Sequence, residues 1–353
     1  MVGLNCFTLA AVGGGRSRAA TGRYLQMKFR TGVLRGALAA LGVVMMTSFA
    51  AAEYPTKPVT LVAPYGPGGA SDLAARIVSA TAPGHLGNGI LVVNRTGAAG
   101  VTGSTYVAKS KPDGYTVLLS RVGSQAAVPA INSKIPYKWD DFSFLGLLEQ
   151  NPFVLSVKAD SPYKTFDDLK KAIKSGKKLS YSSAGVGTLL HVAMVIVLND
   201  LGLPPDALTH IPFKGGGKAA TAVAGGHADM IFQNLSGVIS QIRGRKLRAL
   251  LISTEKRAPT LPDVPTATEV GHPNLHVVVG WSGIWGPKGL PKEVTDKWTS
   301  TLAALKKDKA WNKMTKGLGS IPSIMPPADT KAFVKKQYET FKAVAEKVGL
   351  SVN

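Results

Sequence analysis

The run Ala63–Pro64–Tyr65–Gly66–Pro67–Gly68–Gly69–Ala70–Ser71–Asp72 joins an apolar, strand-like stretch to the start of a helix that Ser71 or Asp72 can cap. Glycine lets a backbone approach a guest closely, and a helix start offers unpaired N–H groups and the positive end of a dipole. An anion, above all a carboxylate, suits such a place. The pattern recurs at Gly185–Val186–Gly187–Thr188, with His191 one turn into its helix, at Lys214–Gly215–Gly216–Gly217, and at Asn94–Arg95–Thr96–Gly97–Ala98–Ala99–Gly100. A single Gly-rich turn is usually only a turn. Four of them, each following a strand of an open α/β sheet, point to a shared anion cleft.

Other chemistry lacks its residues. No Gly–Lys–Ser/Thr follows a strand as in a phosphate-binding loop, and the first turn lacks the dinucleotide fingerprint. No Gly–x–Ser–x–Gly elbow is present, so an α/β hydrolase, the enzyme alternative, has no nucleophile site. His272 and His276 have metal-like spacing, but Pro273 lies between them and no carboxylate partner is evident in sequence. Neither a catalytic residue nor a metal or cofactor is therefore expected. Individual side chains keep two readings each. Asp72 is a helix cap or a ligand contact, and Asp229 faces the cleft or fixes a strand end. His191 donates to a ligand or rests on a helix face, and Arg95 pairs with a carboxylate or braces its loop. Tyr65 can stack on or hydrogen-bond a guest, and Trp281 is a hinge core residue or a cleft wall.

The elements that must hold these turns alternate in type. Strands are predicted at Val59–Ala63, Ile90–Asn94, Tyr115–Ser120, Phe153–Val157, Leu179–Ser182, His210–Phe213, Met230–Gln233 and Ala249–Ser253. Helices fall between them, one at Phe166–Ser175 with a Thr165 cap and Asp167–Asp168 in its first turn. Alternation of this kind gives parallel βαβ units. Phe153–Val157 and Val277–Trp285 read as two crossovers. Lobe one is then 53–152 plus 279–353, covered by helices at Glu293–Lys306 and Thr330–Lys347, and lobe two is 153–278. A double crossover makes a hinge over a cleft.

A chain of 353 residues, 45% hydrophobic and 18% charged, is globular and long enough for about two domains without disulfides. Residues 27–52 read as an export signal: Met27, Lys28, Arg30 and Arg35, an apolar run from Gly36 to Phe49, then Ala50–Ala51–Ala52. The run is shorter than the roughly 20 residues a membrane span needs. Residues 1–26, which hold the sole cysteine, Cys6, read as an extension from a start assigned too early. Cleavage near 50–52 removes six of the 42 basic residues and no acidic one, leaving 36 against 21, a net +15. Export argues against nucleic acid as a partner, and the surplus reads as a solvated surface that draws in anions.

The chain resembles the receptors of tripartite tricarboxylate transporters, the Bug (Bordetella uptake gene) proteins. The matching runs include Pro64–Asp72, Asn94–Gly100, Lys111–Thr116, Ser183–His191, Pro212–Gly215, Gly225–Asp229, Leu247–Leu250, Leu261–Thr266 and Trp281–Gly283, in order along nearly the whole mature chain. The resemblance implies an α/β fold of the periplasmic-binding-protein type II (Venus flytrap) class, two lobes joined by a double crossover hinge. It implies a monomeric periplasmic receptor that captures a small carboxylate and delivers it to the membrane permease subunits of a tripartite transporter. Presentation of the ligand to a membrane sensor kinase is the alternative that shares this fold. By position it points to Tyr65, Gly68, Gly69, Ala70, Ser71 and Asp72, and to Gly185, Gly187, Thr188 and His191, as ligand-binding residues, with Asp229 added from its place after Gly225–Gly226. Two departures stand out: Gly66 replaces a usual proline, which loosens the expected ligand loop, and Thr96 replaces the proline that commonly follows Asn–Arg.

Overall fold

The computed structural model describes residues 53–347. The extension 1–26 with Cys6, the export signal 27–52 and residues 348–353 lie outside the described residues. In chain order the elements are β1 (Val59–Ala63), α1 (Ala70–Thr81), α2 (Pro83–Leu86), β2 (Ile90–Asn94), α3 (Val101–Ala108), β3 (Thr116–Arg121), α4 (Val128–Ile131), β4 (Phe142–Lys158), α5 (Phe166–Lys174), β5 (Ser180–Ser183) and α6 (Leu189–Asp200). They continue as β6 (Thr209–Pro212), α7 (Gly216–Ala224), β7 (Met230–Asn234), α8 (Ile239–Arg243), β8 (Leu247–Ile252), β9 (Val279–Pro287), α9 (Lys292–Leu305), α10 (Lys309–Gly317), β10 (Ile321–Met325) and α11 (Pro327–Lys347).

Apolar, β-branched runs such as VTLVA and ILVVN pair in parallel, because each is followed by a helix that carries the chain back to the same end of the sheet. One sheet runs β2–β1–β3 in parallel and then takes β9 and β4 antiparallel, with β10 alongside β4. The second runs β6–β5–β7 in parallel, with β4 antiparallel to β7 and β8 on β4's other side. β4 serves both. Its first part pairs with β9 as far as Pro152↔Val279, and from Phe153↔Asn234 onward it pairs with β7. The crossover expected at Phe153–Val157 is thus the second half of one 17-residue strand. Chemistry in the sequence obscures this, because Glu149, Gln150 and Asn151 interrupt an otherwise apolar run.

Both ends of the described chain close the first lobe. The Tyr54 hydroxyl donates to the Gly114 carbonyl at 2.7 Å and accepts from Trp298 Nε1 at 3.0 Å, while Tyr54 N–H donates to Glu293. Trp298, Leu302 and Trp311 pack with Leu61, Val117 and Ile284 in one apolar cluster. Full burial of each such side chain contributes about 1.5–3 kcal/mol. Trp281 is fully buried and stacks on Trp285, with the edge of Phe333 nearby, so it belongs to the core rather than to a cleft wall. In the second lobe α5 begins with the expected cap, where Thr165 accepts from Asp168 N–H and Asp168 accepts from Thr165 N–H. Among the described residues no helix is long and apolar enough to cross a membrane.

Candidate functional site

The carboxyl ends of β1, β3, β5, β6 and β7 converge, and the turns that leave them form the walls of one cleft. In the β1–α1 turn, the buried Asp72 carboxylate is fully engaged. It accepts from Gly68 N–H at 3.0 Å, from Arg76 Nε at 2.9 Å and from Asn94 Nδ2 at 3.0 Å. Burial alone would raise its pKa, but Arg76, the Gly68 amide and Asn94 outweigh this and hold it below the ordinary carboxylate value. Asn94 uses its other amide hydrogen on the Tyr65 carbonyl. Asp72 therefore pins the turn and points away from the cleft. The start of α1 at Ala70 and Ser71 has no side-chain cap, and the buried Ser71 Oγ has no partner.

Tyr65 crosses the floor of this turn. Its hydroxyl donates to the Ala99 carbonyl at 2.9 Å, and burial pushes its pKa up to about 12, against the pull of Arg121, so it stays neutral. The ring fills a slot that only glycine permits. A Cβ on Gly123 would stand 2.5 Å from the Tyr65 hydroxyl.

In the second lobe, the Thr188 hydroxyl donates to the Gly185 carbonyl at 2.7 Å, and α6 starts with no side-chain cap. Gly187 N–H donates to His191 Nδ1 at 3.2 Å. His191 stacks on His210, which stacks on Tyr181 and shares a 2.6 Å hydrogen bond with Ser183 Oγ. Burial lowers both histidines, and His191 adds to the effect on His210, which falls to about 4. His191 is thus a neutral brace behind the loop. α7 also starts uncapped, at Gly215 and Gly216. Away from the cleft, α5 and α10 are capped by Thr165 and Asp308, whereas α9 has no side-chain cap.

The turns of the two lobes touch. A Cβ on Gly66 would lie 2.6 Å from the Lys214 carbonyl oxygen, and one on Gly217 would lie 3.0 Å from the backbone of Pro67 and Gly68. Gly66, standing where a proline is usual, leaves room for this contact. It lets the two lobes close backbone to backbone.

The small space between these turns is lined from the first lobe by Tyr65, Gly69–Ser71 and Arg121–Gly123. From the second lobe come Ala184, Thr188–Leu190, Gly216, Gln233 and Asn234. Gln233 Nε2 and Asn234 Nδ2 are buried donors without partners, like Ser71 Oγ. A buried unpaired polar group is costly. Here the three residues that carry them line one small space, together with the starts of three helices that have no side-chain cap. The arrangement can hold an anion by hydrogen bonds and helix dipoles.

Of the residues singled out in the sequence, Tyr65, Gly69, Ala70, Ser71 and Thr188 line this space. Gly68 and Gly185 lie in adjoining recesses, and Gly187 and His191 support the loop from behind. Asp72 lies outside this space and pins the turn. Asp229 also lies outside this space, at a strand end. It precedes β7, at the far end from Asn234, and its carboxylate accepts from Ser180 N–H and Oγ at 2.7 Å, fixing the start of β5. Arg95 is exposed and lies over the Tyr106 ring at 3.7 Å, bracing its loop. His272 pairs with Asp200, and His276 bonds Thr268. Sequence reasoning missed Arg121, Gln233 and Asn234 as lining residues. Their signal is a polar residue that ends a buried strand.

Two α/β lobes sharing a long strand, with a closable cleft at their carboxyl ends, define a solute-binding protein of the type II periplasmic class. Residues 74–350 match the family described as tripartite tricarboxylate transporter family receptor, and the chain belongs to that family, whose members are substrate-binding receptors rather than enzymes. It is similar to the periplasmic binding protein BugD, with 31% identity and a TM-score of 0.79 over 84% of this chain and 99% of that one. It is also similar to MatC from Rhodopseudomonas palustris with bound malate, at 27% identity and a TM-score of 0.77 over 82% and 99%. R. palustris Rpa4515 with adipate shares 26% identity and a TM-score of 0.80 over 85% and 99%.

Proposed function

We propose that the chain is a periplasmic receptor whose cleft closes on a small carboxylate and which, as a monomer, delivers it to the membrane permease of a tripartite tricarboxylate-type transporter. Lobe one comprises 53–152 plus 279–353 and lobe two 153–278, hinged where Pro152 lies beside Val279. The observation that carries this reading is the set of unpartnered buried donors, Ser71 Oγ, Gln233 Nε2 and Asn234 Nδ2, gathered at three uncapped helix starts. Malate in MatC and adipate in Rpa4515 support the carboxylate class. The ligand carboxylate sits against the starts of α1, α6 and α7 and draws the lobes together.

A thermal-shift panel of dicarboxylates, citrate, acidic amino acids, aromatic acids, sugars and inorganic cations tests this. One or a few carboxylates should raise the melting midpoint and be recovered unchanged. Stabilisation by sugars or cations with none from any carboxylate would overturn it.

A further inference from the structure

Arg121 is the one charged residue lining this space among the described residues, with Lys214 in an adjoining recess. It ends β3 opposite Ser282 of β9, and its side chain is 4% exposed. A guanidinium carries five N–H donors in a planar fork. Here one of them, on Nη1, is engaged, at 3.5 Å from Glu149 Oε1. That oxygen is itself shared, since Ser282 Oγ donates to it at 2.9 Å and Asn151 Nδ2 lies at 3.5 Å. A buried cation with so thin a set of partners is costly unless another anion completes it. Glu149 is also buried and holds the guanidinium from behind, so the rest of the fork is left for the cleft.

We propose that Arg121 is a second anion subsite, a specificity-determining residue that makes the receptor select ligands with two carboxylates. This rests on the carboxylate-capture reading above. One carboxylate occupies the helix starts with Ser71, Gln233 and Asn234, and the second takes paired, charge-assisted hydrogen bonds from Arg121. Val122, Leu189 and Leu190 line the space with apolar surface, which suits a short aliphatic spine between the two charged ends. Glu149 and Ser282 are positioning residues that set the plane of the fork.

The test is calorimetric titration of the purified protein with matched pairs, adipate against hexanoate and succinate against butanoate. The wild-type protein should bind the better diacid at least about tenfold more tightly than its monoacid, as charge-assisted hydrogen bonds imply. Arg121→Gln alone strands Glu149 in the interior, so the informative variant is Arg121→Gln combined with Glu149→Gln, its folding checked by a cooperative melt. Its diacid-to-monoacid ratio should fall close to one, and Arg121→Lys, which keeps the charge but loses the fork, should restore part of it. An unchanged ratio in the double variant, or equal binding of diacid and monoacid by the wild-type protein, overturns the subsite while leaving carboxylate capture intact. Absence of carboxylate binding by the wild-type protein overturns both.

Discussion

The carbonyl of Lys214, in the turn after β6, stands 2.6 Å from the place a Cβ on Gly66 would occupy, so this contact between the two lobes exists only because residue 66 has no side chain. On the proposed function, closure and capture meet at this backbone contact. Gly66→Ala should leave the ligand-free fold intact, because the lobes can relax apart, yet weaken carboxylate binding about tenfold or more, in line with the 1–3 kcal/mol cost of overpacking. Calorimetry and a melt read the two effects separately. A wild-type affinity in Gly66→Ala would mean that the Gly66–Lys214 contact is not part of capture.

The unpartnered amides give an opposite pair of signals. Gln233 Nε2 and Asn234 Nδ2 are buried without hydrogen bonds. Replacing either with an apolar residue of similar shape, Gln233→Met or Asn234→Leu, removes a desolvated polar group. Ligand-free stability should hold or rise, while affinity for the carboxylate falls by about 1–3 kcal/mol. Loss of stability without loss of affinity would assign these amides to the fold alone.

Acid should act through the histidine stack before it reaches the carboxylates. Folded His210 titrates near pH 4, held down by burial and then by His191, whereas in the unfolded chain it titrates near about 6.5. As pH falls below about 6.5, the unfolded chain takes up this proton first. The contribution is thus complete above that pH and is lost progressively down to about 4. The melting midpoint should drop across this window, with a flatter profile in His210→Gln. Asp72, lowered below its ordinary value, titrates at lower pH still and does not confuse the result. An equally steep drop in the variant would place the effect elsewhere.

Asp229 offers a control. Its hydrogen bonds go to Ser180 at the strand end remote from the cleft. Asp229→Ala should leave carboxylate affinity within about twofold, while lowering the melting midpoint through the loss of hydrogen bonds worth roughly 1 kcal/mol. A large loss of affinity would bring that end of the sheet into the binding event.

Much of this site is legible in the sequence, because the turns follow local rules. Pro64–Asp72 and Gly185–Thr188 announce a strand, a glycine turn and a helix start within ten residues, and such turns in an α/β sheet share one end. Strand direction also separates Asp229 from Asn234. One precedes β7 and the other ends it, so they face opposite ends of the sheet. What stays hidden is set by long-range contact. Nothing near Arg121 in sequence announces Glu149 or Ser282, and nothing near Gly66 announces Lys214. Asn151 looks like an interruption in a strand until its amide reaches Ser236 and Ser320 across the hinge.

The most direct measurement is calorimetric titration of the best-stabilising carboxylate into the wild-type protein and into Ala70→Phe. That ring would fill the cleft from the part-exposed start of α1. The expected result is one ligand per wild-type chain and no detectable binding by Ala70→Phe, with both proteins melting cooperatively. Undiminished binding by a folded Ala70→Phe would show that the carboxylate is held somewhere other than the cleft between the lobes.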